Sequence, residues 1–129
     1  MQLFAPIYNR LIGSTAITDI VGDKIFFSRA EQGAATPYIV INQVSATGSE
    51  TKSGPSTVDK NRVQIDAYSS DAETVVNLSE LIRQRLEYYQ GTSAGVYLDG
   101  AVYDNEETGF DEESDAHRLR VDYFIRYKR

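Results

Sequence analysis

The apolar positions at the start of the chain follow a helical period. Phe4, Ile7, Tyr8 and Leu11 recur at the spacing that brings side chains onto one helix face. Pro6 fits only a first turn, and Gly13 is placed to end the segment. Ser14 then caps a second short helix carrying Ala16, Ile17, Ile20 and Val21, which Gly22 stops. Residues 24–27 read as a brief strand. After the small-residue loop Gln32, Gly33, Ala34, Ala35 and Thr36, Pro37 opens a β-branched run over 38–44 that predicts a strand.

Residues 46–58 break the pattern, because they hold nothing large and apolar to anchor them, and a long exposed loop is expected. From Asp59 the period changes to two: Val63, Ile65 and Ala67 face one way, and Arg62, Gln64, Asp66 and Tyr68 the other. Ser70, Asp71, Ala72 and Glu73 match a capping box in which the Ser oxygen and the Glu carboxylate satisfy orphan backbone donors. The helix it opens carries Val75, Leu78, Ile82, Leu86 and Tyr89 on one stripe and is expected to end before Gly91. Residues 96–103 predict another strand. In the last one, Leu119, Val121, Tyr123, Ile125 and Tyr127 alternate with Arg118, Arg120, Asp122, Phe124 and Arg126. The pattern predicts an α+β fold, a mostly antiparallel sheet with helices on one face.

Composition narrows the function. A chain of 129 residues is the size of one core, so residues 1–129 are expected to form a single domain. Without cysteine there is no disulfide, thiolate nucleophile or Cys-type zinc site. No stretch approaches the about 18 apolar residues of a membrane span, and Met1 is not followed by a leader pattern, so a soluble, unprocessed protein without a membrane partner is expected. A net charge of -6 disfavours tight binding to the phosphate backbone of DNA.

The catalytic inventory is thin. His117 is the sole histidine and has no cysteine or second histidine to make a nucleophile pair or a metal set. The stretch from Gly48 to Gly54 lacks phosphate-loop spacing. No enzymatic activity and no cofactor are expected. Asp104, Glu106, Glu107, Asp111, Glu112, Glu113 and Asp115 place seven of the 19 acids in one short segment, with 13 bases elsewhere. Together with Thr108 and Gly109, four of these acids fall near EF-hand positions, but flanks that read as strands count against a calcium loop, and a solvated acidic loop is expected instead. The polar faces carrying Arg62, Gln64 and Asp66 and carrying Arg118, Arg120, Asp122 and Arg126 would form cross-strand ion pairs if their strands are neighbours. Such rows read as a solvated sheet face or as a subunit interface, where Arg and Tyr are favoured.

The order of these pieces resembles the tail-completion, or tail-terminator, family of long-tailed bacteriophages, prophages and gene-transfer particles. The likeness runs over nearly the whole chain. It is carried by the N-terminal helix leading to Ile20, Val21, Gly22, Asp23, Lys24 and Ile25, and by Pro37, Tyr38, Ile39 and Val40. A Gly/Ser/Pro loop before residues 59–66, the helix from Asp71, the acidic turn after Tyr103 and the closing strand 117–123 complete it. The resemblance implies a structural virion protein, assembled in the host cytoplasm, that forms a hexameric ring on the head-proximal end of the tail tube. Such a ring stops tube growth and offers a surface to the neck proteins. Its implied partners are further copies of itself, the tail tube protein and a neck or head-completion protein, while DNA passes through the lumen without tight binding. On this reading Thr47, Gly48, Ser49, Glu50, Thr51, Lys52, Ser53, Gly54 and Pro55 are the assembly loop, and the seven acids from Asp104 to Asp115 face the lumen, where they would repel phosphates. A neck connector of the same size, or a monomeric acidic-loop calcium or ligand-binding module, are the other readings.

Overall fold

The computed structural model describes residues 3–51 and 54–128, and over 45–59 the backbone alone. The expected α+β fold is present as one domain. Its elements are α1 (Phe4–Ile12), α2 (Thr15–Val21), β1 (Ile25–Phe27), β2 (Tyr38–Thr51), β3 (Gly54–Ser69), α3 (Ala72–Leu86), β4 (Gln90–Ser93), β5 (Val96–Asp111) and β6 (Ala116–Lys128). The strands form one curled sheet in the order β1-β2-β3-β6-β5-β4. Only β1 and β2 run parallel.

The three helices share one core with one face of the sheet. Ile7 and Leu11 of α1, Ile17 and Val21 of α2, and Val75, Leu78, Ile82 and Leu86 of α3 pack on Ile39, Ile41, Val63, Ile65, Val121 and Ile125. Ile41, Ile65 and Val121 stand opposite one another in the ladders, and Ile39 stands opposite Ala67 and Val63 opposite Tyr123, so the register lines up the apolar face across the strands. The two short helices start and stop where the sequence placed them. Ser14 Oγ accepts from Ile17 N at 3.4 Å, and Gly22, at φ 64°, turns the chain out of α2 at a conformation that suits glycine. The cap of α3 differs from expectation: Asp71 is the N-cap and accepts from Glu73 N at 3.2 Å and Thr74 Oγ1 at 3.1 Å, while Ser69 Oγ accepts from Asp71 N. The two carboxylate oxygens of Asp71, one residue later, accept from two donors at once, leaving Ser70 exposed.

Helix α3 also ends earlier than its apolar stripe suggests. Glu87 is extended and Tyr88 takes φ 60° because Tyr88 N–H donates to Ala101 O on β5, 2.8 Å away. Capture by a strand edge outcompetes a further helical turn. The residues that follow form β4, an edge strand the sequence pattern missed. Its turn places Ala94 and Gly95 at positive φ, the conformation of a tight two-residue hairpin. Two arginines lock α1 to α3: Arg10 donates to Arg85 O at 2.7 Å, and Arg85 Nε returns a bond to Arg10 O at 2.8 Å. Carbonyls at both helix ends are satisfied in this way.

One buried group pulls against this packing. Tyr123 is fully buried under α3, and its hydroxyl finds no partner among the described residues. Burial pushes its pKa up, with smaller raising contributions from Glu87, Tyr103 and Glu80. An unfolded tyrosine ionises near about 10 and the buried one only above that, so stability is full below about 10 and falls as pH rises further. Tyr123→Phe should therefore leave stability at neutral pH unchanged or raise it by up to about 1 kcal/mol. It should also blunt the alkaline decline in urea melts. A loss of more than about 1 kcal/mol at neutral pH would mean that the hydroxyl has a partner after all.

Candidate assembly surface

The sheet face turned away from the helices carries the charge. Because β3 and β6 are direct neighbours, the expected cross-strand pairs form. Asp66 stands opposite Arg120 and accepts two bonds, 2.9 Å from Nε and 3.1 Å from Nη2. One position along, Arg62 reaches diagonally to Asp122 at 2.6 Å. Arg120 is held above its ordinary pKa first by the hydrogen bond it donates to Asp66, and Arg62 in the same way by the one it donates to Asp122. The face is nonetheless not the uniformly solvated row the alternation allows, since Asp66 is 1% and Asp122 5% exposed. Aromatic rings seal it: Tyr38 and Tyr68 lie 4.9 Å apart at one end, and Lys60 and Arg62 stand over the ring of Phe124 nearer the other.

The loop between β1 and β2, residues 28–36, crosses this face instead of running away from it. Lys24 Nζ holds it by donating to Ala35 O at 2.8 Å. Between the loop, the sheet and the β5–β6 turn lies an open cleft of about 870 Å³, floored by Tyr38, Val40, Asp66, Tyr68 and Arg120. Its chemistry is static. Both Asp66 oxygens are engaged by Arg120, and burial pushes the Tyr68 hydroxyl up, away from the range in which it would serve as a base at neutral pH. No sequence signal pointed to the cleft, because the composition of a loop does not say which face it will cross.

The two segments singled out from the sequence are both strands. Thr47, Gly48, Ser49, Glu50 and Thr51 lie on β2, and Gly54 and Pro55 on β3, paired as Gly48 with Asp59, Glu50 with Pro55 and Thr51 with Gly54. The expected free loop is thus corrected to a hairpin; Lys52 and Ser53 lie outside the described residues. Backbone ladder bonds need no apolar side chains, so a polar strand leaves no periodic trace. Since among the described residues β6 reaches β3 only from Val58 onward, the tip of this hairpin overhangs the sheet.

The acidic segment is corrected likewise. Asp104, Glu106, Glu107 and Asp111 lie on β5, and Glu112, Glu113 and Asp115 in the turn to β6. An extended backbone sends neighbouring acids to opposite faces, so the segment does not wrap a cation. Among the described residues no group of three or more acids and histidines could hold a metal ion. Asp111 accepts from Glu113 N and Ser114 Oγ to close the turn, and Glu107 approaches Arg118 at 3.8 Å. His117 lies on β6, edge-on to Phe110. The β2–β3 hairpin and the acidic β5–β6 turn stand at opposite ends of the sheet, because β3 and β6 run antiparallel over their length. Among the described residues, no helix is long and apolar enough to cross a membrane.

A sheet whose buried charges hold one another, and whose hairpins extend to opposite ends of a helix-backed core, is built as a structural scaffold. A family model, tail completion protein gp17, matches residues 5–128, and the chain belongs to that family. Among solved structures, a chain of the virion of a native gene transfer agent particle is similar in fold, with a TM-score of 0.81 at 14% identity over 97% of this chain and 93% of that one. A second solved chain has a TM-score of 0.67 at 11% identity, over 97% of this chain and 92% of its own. No curated protein sequence matches. The protein is a structural component of the phage tail, and its place is the virion.

Proposed function

We propose that the whole chain, residues 1–129, is one tail-terminator domain that closes into a hexameric ring on the head-proximal end of the tail tube. The ring ends tube polymerisation and presents a surface to a neck or head-completion protein. It catalyses no reaction and needs no cofactor. The observation that carries this reading is the family match over residues 5–128. Two features agree with it. Hairpins at opposite ends of the sheet give a ring two chemically different faces, one Gly/Ser/Pro-rich and one acidic. A net charge of -6, to which the acids of β5 and its turn contribute most, lets DNA slide past without being gripped.

Purified tail tube protein polymerising in the presence of this chain should give tubes that stop growing and carry a ring at one end in electron micrographs. Native mass spectrometry of the capped ends should find six copies. Tubes that lengthen as if nothing had been added, with the chain bound instead to the portal end of filled heads, would replace the terminator with a neck protein. Linear duplex DNA should show no retardation at moderate salt; tight binding with a steep salt slope would remove the repelling lumen.

A further inference from the structure

We infer that the two ends of the sheet are the surface through which neighbouring copies join, head to tail, with β1 of one copy entering the open edge of β5 on the next. The inference rests on the ring reading above and names its contact. It begins with what the ladders leave unpaired. At one end β1 covers β2 only at Ile39, Val40 and Ile41, so β2 has no outer neighbour from Asn42 onward among the described residues. At the other, β4 covers β5 at Val96, Tyr97, Leu98 and Asp99, and Tyr88 covers Ala101, leaving β5 open from Val102 to Asp111 among the described residues. Long open edges are rare in isolated proteins because they invite pairing with another chain.

The two ends are stepped in complementary fashion. Following the register across the sheet, Ile41 is level with Ile65, Val121 and Glu106, so β1 projects at the height where β5 is bare. Leu98 is level with Tyr127, Asp59 and Gly48, so β4 projects at the height where β2 is bare. Each end has a step where the other has a notch. Direction agrees as well. The four long strands alternate and β1 runs with β2, so in a copy rotated about an axis along the strands β1 arrives antiparallel to β5. That is the pairing used by most of the sheet.

Side chains point to the same ends. Of the exposed large hydrophobic residues among those described, Ile12 and Val76 lie on helices; Phe27 and Val44 lie at the β1–β2 end and Tyr88, Val102 and Phe110 at the β4–β5 end, with none on β3 or β6. Charge selects the partner. The open edge of β5 carries Asp104, Glu106, Glu107 and Asp111, so pairing this edge with itself would set acids against acids. β1 carries no charge and is flanked by Lys24 and Arg29, with Asp23 one residue further out. A contact between unlike ends, repeated with closure, gives a ring.

The test uses one variant at each end. Ala101 O faces away from β6, since it accepts from Tyr88, and alternation, shifted by the bulge near Asp104, turns the Thr108 N–H outward too. Thr108→Pro therefore blocks the β5 edge without removing a bond to β6. Phe27→Glu places an acid on β1 opposite the acids of β5. Phe110→Asp is a second β5 variant that leaves the backbone untouched. Circular dichroism checks that each is folded, and native mass spectrometry reads the assembly. Wild type should give a closed oligomer and each variant alone a monomer. An equimolar mixture of Phe27→Glu with Thr108→Pro or Phe110→Asp should give a one-to-one pair and nothing larger, because only one intact junction can form. Folded variants that still close rings, or a mixture that stays monomeric, would overturn the contact while leaving the ring standing. A wild-type chain that stays monomeric at every concentration, and on tube ends, would sink the ring and the contact together.

Discussion

Asp66→Ala should destabilise the fold by about 2–3 kcal/mol, the largest loss expected from any substitution on the polar sheet face. Its carboxylate is 2% exposed, and it is the only group that hydrogen-bonds the Arg120 guanidinium among the described residues. Removing it leaves a cation in a half-buried site, facing Val40 two strands away and Glu107 on β5. Exposure of about 29% of the Arg120 side chain tempers the penalty below that of a fully buried pair. Replacing both partners, Asp66→Leu with Arg120→Met, should recover most of the loss, because no charge is then stranded. Urea denaturation at neutral pH measures both. If the single variant cost less than about 0.5 kcal/mol, the pair would be no more than an exposed ion pair.

Replacing Gly48 through Ser56 with a short Gly-Ser connector should leave the melting transition nearly intact and abolish tube capping. The reason is topological. Among the described residues β6 joins β3 only from Val58, so of the excised residues Gly48 alone pairs with a position that stays, Asp59, while Glu50 and Thr51 pair with Pro55 and Gly54 inside the overhang. Reconnecting the strands costs little, since loop closure depends weakly on length. The overhang nevertheless offers backbone and polar groups beyond the core, where a tail tube or a neighbouring copy would meet them. Tubes that still stopped at normal length would take this hairpin out of the mechanism. A variant that failed to fold would show that the overhang supports the core.

By itself the sequence determined what is local. Ser14 and Gly22 bound α2, Val75, Leu78, Ile82 and Leu86 line one face of α3, and the two-residue alternation assigns Val63, Ile65 and Ala67 to the core and Arg62, Gln64 and Asp66 to the other face. Those signals live within four residues of each other and are set by backbone geometry. The resemblance added the family, which the match over residues 5–128 shows. Only the tertiary structure decided the rest. The polar residues from Ser45 to Thr51 and the acids from Asp104 to Asp111 became strands because β3 and β6 offered them backbone partners across a turn, a bonding that side-chain pattern does not record. The same long-range ladders stopped α3 at Leu86, set Asp66 against Arg120, and cut the steps at the two ends of the sheet. Register is a relation between distant segments, and no window of the sequence contains both.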